Sequence, residues 1–223
     1  MKKIIVISAH ADDEIIGAGG TLLRHKEAAD ELYWLIVTNI FESQGFSLAR
    51  VSSRQHEISQ VANELGIKKI FKLDHPTMTL SGETLIRLVP QVAEIFQEVK
   101  PEIVYCLNRS DAHSDHRVVF DAVVACTKSF RHPYIKGVFM YECISETEFA
   151  PALPERVFIP NYFVDITKFM DAKLKMLNIY VSEMGEHPFP RSADNVRALA
   201  HFRGATAGVK YAEAFQLIKW IEK

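Results

Sequence analysis

Through its first 145 residues the chain alternates short apolar runs with segments of helical periodicity, and that rhythm limits the fold more than any single residue does. Runs at 4–8, 32–39, 68–74, 101–108 and 137–145 have the length and apolar character of strands. Helical patterns lie between them at 17–29, 53–66, 83–99 and 116–130. In the second of these, Ile58, Val61, Ala62 and Leu65 share one face and Gly66 supplies a natural C-cap. Strands that alternate with helices of this length pair in parallel, with helices covering both faces. The expected fold is therefore an α/β doubly wound, Rossmann-like sheet of order 3-2-1-4-5. The polar, aperiodic segment 41–53 reads as a surface loop. After Ser145 the rhythm changes: "YFVDIT" at 162–167 reads as a short strand, 168–184 as a helix, and Ser192 as the N-cap of another. No repeat or low-complexity linker interrupts the chain. The expectation is one domain over 1–223, a core of about 1–145 with a C-terminal elaboration of about 146–223.

Composition narrows the function classes. The formal net charge is -2 and no basic run is dense enough for a nucleic-acid footprint, so no nucleic-acid partner is expected. The longest apolar stretches are strand-sized, which argues against membrane insertion. The N-terminal "MKKIIVISAHADDE" opens on two lysines, but its apolar run is about six residues, below the roughly 7–15 of a signal sequence. It reads as a first strand, and a cytoplasmic location is expected. Cys106, Cys126 and Cys143 are far apart with no C-x-x-C spacing, which excludes a disulfide framework and a cysteine zinc site. Cys106 and Cys126 sit in apolar runs and read as buried thiols.

The chemistry concentrates in "ISAHADDEIIGAGG", residues 7–20, where a strand ends in one imidazole and three carboxylates. Adjacent like charges repel, so something must compensate them, and a metal ion is the first candidate. In a doubly wound sheet ligands sit beyond the carboxyl ends of the strands where the winding reverses. Strands one and four flank that reversal. The first ends at His10, and the fourth runs into "RSDAHSDHR" at 109–117, so the two clusters richest in His and Asp converge there. His10 and Asp13 are three residues apart, as are His113 and His116. Two imidazoles and one carboxylate leave a coordination position open, the pattern of catalytic zinc. The metal would lower the pKa of water toward ~7 and a nearby carboxylate would take its proton. Asp12 suits that task if Asp13 binds metal. The same donors can hold Fe(II).

Two other classes compete. Gly17, Gly19 and Gly20 follow the first strand as in a dinucleotide-binding turn, but Leu22 stands where a fingerprint glycine is needed, and the acids would repel pyrophosphate. The glycines are better read as letting the first helix pack closely. A metal-binding protein without activity would have no use for the surplus Asp12.

"AHADDE", with "HSDH" about a hundred residues later, resembles the paired motifs, typically AHPDDE and HxDH, of the PIG-L/LmbE family of zinc-dependent N-acetylglucosaminyl deacetylases. The likeness continues through "SRQHE", "LGI", "LDHP", "KPEIVY" and "RGATAGVKYAEAF", and so covers nearly the whole chain. Ala11 replaces the usual proline, which loosens the turn and removes no functional group. The resemblance implies zinc ligands His10, Asp13 and His116, with Asp12 as general base. It also implies that His113 is a cationic partner of the oxyanion, oriented by Asp115, and that Arg54 and Asp74 contact sugar hydroxyls. Asp111 reads equally as a substrate contact or a helix cap, and Arg54 and Asp74 also have plain readings as a solvated helix residue and a turn residue. Glu14 reads chiefly as a structural residue, and Arg191, in the proline-rich "EHPFPRS", chiefly as a surface arginine, with a loop that closes over a substrate as the alternative. Glu142 and Glu213 have no spacing argument, and His25, His56, His75, His132, His187 and His201 no catalytic role. The implied reaction is removal of the N-acetyl group from a small-molecule N-acetylated amino sugar or conjugate, with hydrolysis of another N-acyl substrate as the alternative. The implied partners include a homo-oligomer. Specificity is expected in 41–53 and in the segment after Ser145.

Overall fold

The apolar runs pair as their pattern predicts. The structure, a computed structural model, describes residues 1–222. Five strands, β1 (Lys3–Ser8), β2 (Glu31–Asn39), β3 (Lys69–Pro76), β4 (Ile103–Leu107) and β5 (Gly137–Tyr141), alternate with α1 (Asp13–Glu27), α2 (Leu48–Leu65), α3 (Gly82–Val99) and α4 (Ser114–Ala125). All neighbours among them are parallel, in the order β3-β2-β1-β4-β5. β1, β4 and β5 are buried almost throughout, as strands covered on both faces must be. The strand order reverses between β1 and β4, and with the right-handed crossovers general to parallel sheets this puts α1 and α2 on one face and α3 and α4, which pack together, on the other. Among the described residues no helix is long and apolar enough to cross a membrane.

The structure departs from expectation in three ways, two of them in the C-terminal region. β6 (Tyr162–Asp165) forms, but a further strand, β7 (Ala212–Trp220), lies between it and β5, antiparallel to both, so the sheet has seven strands among the described residues. The expected helix at 168–184 is only α5 (Met170–Leu177), followed by an irregular segment that reaches α6 (Ala193–Ala207). Ser192 does cap α6, accepting from Asn195 N–H at 3.2 Å. Third, α2 begins at Leu48 with Ser47 as its N-cap, so the surface loop is shorter than 41–53.

α1 is fastened to the C-terminal region at its glycines. A Cβ on Gly17 would lie 2.1 Å from the Tyr141 ring, and one on Gly20 2.7 Å from Ile166, so only bare backbone allows this approach. Glu213 of β7 accepts from the N–H groups of Gly20 (2.8 Å) and Thr21 (2.7 Å). Lys173 of α5 donates to Glu213 (2.7 Å) and to the Ile16 carbonyl (2.8 Å). Both side chains of this pair are only 4% exposed. Glu213→Gln strands the Lys173 ammonium without its counter-charge, and we expect a loss of about 3–5 kcal/mol in urea unfolding. A loss below about 1 kcal/mol, the level of an exposed pair, would show that the pair does not hold α1.

Candidate active site

The end of β1 and the end of β4 open into one cavity of about 270 Å³, lined by His10, Asp12, Asp13, His113 and His116 together with residues of α2 and of the segment after α5. The first cluster is shaped by a local turn, in which Asp13 Oδ2 accepts from the His10 N–H at 2.8 Å. His116 enters from the first turn of α4. Its Nε2 lies 3.4 Å from His10 Nδ1 and 3.3 Å from Asp13 Oδ1. One donor atom from each of His10, Asp13 and His116 thus falls within 4.8 Å of the others.

The outward nitrogens are also engaged. His116 Nδ1 lies 2.8 Å from Asp111 Oδ2, and His10 Nε2 lies 3.2 Å from Asp115 Oδ2. A carboxylate behind each imidazole fixes its orientation and raises its basicity, the arrangement that accompanies metal-binding histidines. Burial pulls the His116 pKa down, but Asp13 and Asp111 outweigh it and hold it well above the ordinary value. Burial pushes Asp13 up, but His116 and His10 hold it well below the usual carboxylate range. This pocket favours positive charge at the point where the three donors converge, and a divalent ion fits it. A second grouping, His10, His113 and Asp115, is also close enough to bind an ion. It fits less well, because Asp115 already accepts from the N–H groups of Met78 (2.7 Å) and Leu80 (3.1 Å).

Asp12 is held in a strained conformation, φ 146° and ψ -31°, at a cost of about 1–3 kcal/mol. Its carbonyl accepts from Ile15 and Ile16 N–H and so starts α1. Its own N–H donates to Glu14 Oε2 at 3.1 Å, and Tyr180 O–H donates to Glu14 Oε1 at 2.7 Å. Glu14 is fully buried, in keeping with a structural role. The Asp12 carboxylate accepts no hydrogen bond among the described residues. Burial pushes its pKa up to about 7, with Asp13 and Glu183 adding to the shift and Arg54 and Arg191 opposing it. Tyr180→Phe removes the far anchor of Asp12. We expect a loss of about fivefold in kcat with bound metal unchanged, since one neutral hydrogen bond contributes about 1 kcal/mol. An unchanged kcat would show that Asp12 needs no such support.

His113 caps α4, its Nδ1 accepting from the Asp115 N–H at 3.1 Å, which leaves its proton on Nε2. Burial, then the neighbouring His10 and His116, push its pKa down to about 4 against the opposing Asp115 and Asp13. This geometry makes Nε2 the N–H donor of the ring, the atom free to meet an oxyanion. Asp115 orients it through the backbone, while the Asp115 carboxylate serves His10.

The three expected substrate contacts part company. Arg54 is buried and lines the cavity, donating to the Ala11 carbonyl at 2.6 Å and pairing with Glu183. Asp111 is fully buried behind His116, where Asn108 and Thr147 also donate to it at 2.7 Å each, so it does not face a substrate. Asp74 is exposed at φ 51°, receives a hydrogen bond from Asn39 and does not line the cavity. It lies within β3, at the shift in register against β2, and so is not the turn residue of its plain reading either. Arg191, read from the sequence as a surface residue, lines the cavity wall beside Glu183 and Ser145. Glu183 carries no local signal, because it reaches the site only when the helix stops at Leu177. Glu142 pairs with Arg203 outside the cavity. None of the six other histidines lines it.

Comparison with known proteins agrees with this geometry. Diacetylchitobiose deacetylase of Thermococcus kodakarensis is 24% identical over 99% of this chain and 85% of its own length. The 4-oxalmesaconate hydratase of Pseudomonas putida is 27% identical over 77% of this chain and 70% of its own. The solved structure of N,N'-diacetylchitobiose deacetylase from Pyrococcus horikoshii shares the fold, with a TM-score of 0.75 at 24% identity over 98% of this chain and 84% of that one. The family model described as "PIG-L: GlcNAc-PI de-N-acetylase" matches residues 5–127, more than half of the sequence and both halves of the cavity's His and Asp set, and the chain belongs to that family.

Proposed function

We propose that the protein is a zinc-dependent N-deacetylase that releases acetate from an N-acetylated amino sugar or a conjugate of one. The observation that carries this reading is the Asp12 carboxylate, unbonded and poised near neutrality, beside the converging donors of His10, Asp13 and His116. A divalent ion held by those three residues would act as a Lewis acid, lowering the pKa of water toward ~7 and polarising the acyl oxygen. Zinc suits two imidazoles and one carboxylate with an open position, although Fe(II) accepts the same set.

The chain's own groups do the rest. Asp12 takes a proton from the attacking water as the new C–O bond forms. His113 offers its Nε2–H to the negative charge that develops on the acyl oxygen, an interaction of about 3–4 kcal/mol where such donors are preorganised. As the C–N bond breaks, Asp12 returns its proton to the amine, and acetate and free amine leave. Arg54, fixed by Ala11 and Glu183, borders the space for the sugar. We read residues 1–223 as one domain, because a single sheet spans the expected junction near 145.

The test is acetate release from N-acetylglucosamine, diacetylchitobiose and N-acetylglucosamine conjugates. Equal amounts of acetate and free amine are expected. The Pseudomonas relative supports a second reading, addition of water to an unsaturated carboxylate by the same groups. Loss of the ultraviolet absorbance of an unsaturated dicarboxylate, without acetate from any amide, would favour that reading instead.

A further inference from the structure

We propose that the substrate is an anionic conjugate, carrying a carboxylate or phosphate that Arg191 binds beside the N-acetylated sugar. This rests on the deacetylase reading of the cavity.

One wall of the cavity gathers three guanidinium groups around two carboxylates. Arg50 and Arg54 of α2 both pair with Glu57, at 3.2 and 3.1 Å, and both pair with Glu183. Those contacts neutralise two positive charges. Arg191 is the third, and its nearest carboxylate contact is the long one, 3.4 Å to Glu183 Oε2. Its short hydrogen bonds go to neutral acceptors, the Glu183 carbonyl (2.8 Å) and the Ser145 hydroxyl (2.6 Å). The Phe189 ring lies 5.2 Å from its guanidinium carbon. The side chain is 19% exposed, so its charge is partly desolvated.

A fixed guanidinium that shares Glu183 with two other arginines and has Asp12 as the other acid near it, at the edge of a substrate cavity, is placed as an anion receptor. It has five N–H donors, and the contacts above engage three. Its planar fork matches the paired oxygens of a carboxylate or phosphate. A neutral aglycone would offer this charge no counter-ion. A rival account makes Arg191 only a counter-charge to the carboxylates of the site. In that case its removal alters neutral and anionic substrates alike.

The experiment compares kcat/KM for acetate release from an N-acetylglucosaminide with a carboxylated aglycone, from its carboxamide, and from N-acetylglucosamine 1-phosphate. The wild type is expected to prefer an anion by about 10- to 100-fold over the carboxamide, less at high salt. The better anion identifies carboxylate or phosphate as the partner. Arg191→Gln is expected to bring the ratio of anionic to neutral substrate close to one, and Arg191→Lys to retain part of it. A wild-type ratio near one overturns the proposal while leaving deacetylation intact, and so does a ratio unchanged in Arg191→Gln. If no compound yields acetate, the deacetylase reading fails separately. Calorimetric binding of the carboxylated compound and its carboxamide to the metal-loaded wild type then decides: about tenfold tighter binding of the anion upholds the receptor, and equal binding overturns it.

Discussion

Asp12→Asn is expected to lower kcat by about 10²- to 10⁴-fold, the usual contribution of a general base, while bound metal stays at the wild-type level. The amide keeps the shape of the side chain but cannot take a proton from water. The same substitution should stabilise the metal-free protein. The Asp12 pKa is about 7 in the fold against an ordinary 3.8, chiefly because the carboxyl is buried. Below pH 3.8 the group is neutral in both states and costs nothing. As pH rises toward 7 the unfolded chain ionises first, so the folded wild type loses stability, and above 7 the loss is constant. Asparagine escapes it. With chelator present, Asp12→Asn should therefore be more stable than wild type at pH 8, by on the order of a few kcal/mol in urea unfolding. The gain should shrink between pH 7 and 4. Equal stability at pH 8 would mean that Asp12 is not strained by its charge, and near-normal kcat would remove it as the base.

His116→Ala is expected to lose metal and acetate release together. It removes one of three converging donors and leaves Asp111, fully buried, without its imidazole. Asn108 and Thr147 still donate to Asp111, yet an uncompensated buried carboxylate typically costs about 3–5 kcal/mol, so unfolding should be monitored in parallel. Asp111→Asn separates the two effects. It keeps all three donors but weakens the support behind His116, and metal affinity should fall by about 10- to 100-fold without abolishing activity at saturating metal. Full metal occupancy in a folded His116→Ala protein would remove His116 from the ligand set.

What could be read in advance follows the range of the signal. Apolar periodicity is local, so β1 to β5 and their helices are legible, and the convergence of His10 with His113 and His116 follows from strand order alone. The glycines of α1 are legible as packing residues for the same reason. The C-terminal region depends on distant contacts. β7 exists because Glu213 and Phe215 fit against α1 and the core, a match that no window of its own sequence reveals. Residues 178–184 read as helix, but Tyr180 and Glu183 satisfy Glu14 and the arginines only if the helix ends at Leu177. Tertiary contact overrides propensity there. Asp111 and Asp74 show the same limit. Their residue types fit a sugar contact, and only the direction of each side chain reveals that one supports His116 and the other bonds Asn39.

The central claim is that a metal held by His10, Asp13 and His116 is required for amide hydrolysis with Asp12 as the base. It is tested most directly by chelating the purified protein and titrating zinc back while recording acetate release and bound metal in the same sample. Acetate release should vanish on chelation and return in proportion to bound zinc, saturating at one ion per chain. Undiminished release from protein shown to be free of metal would contradict the account.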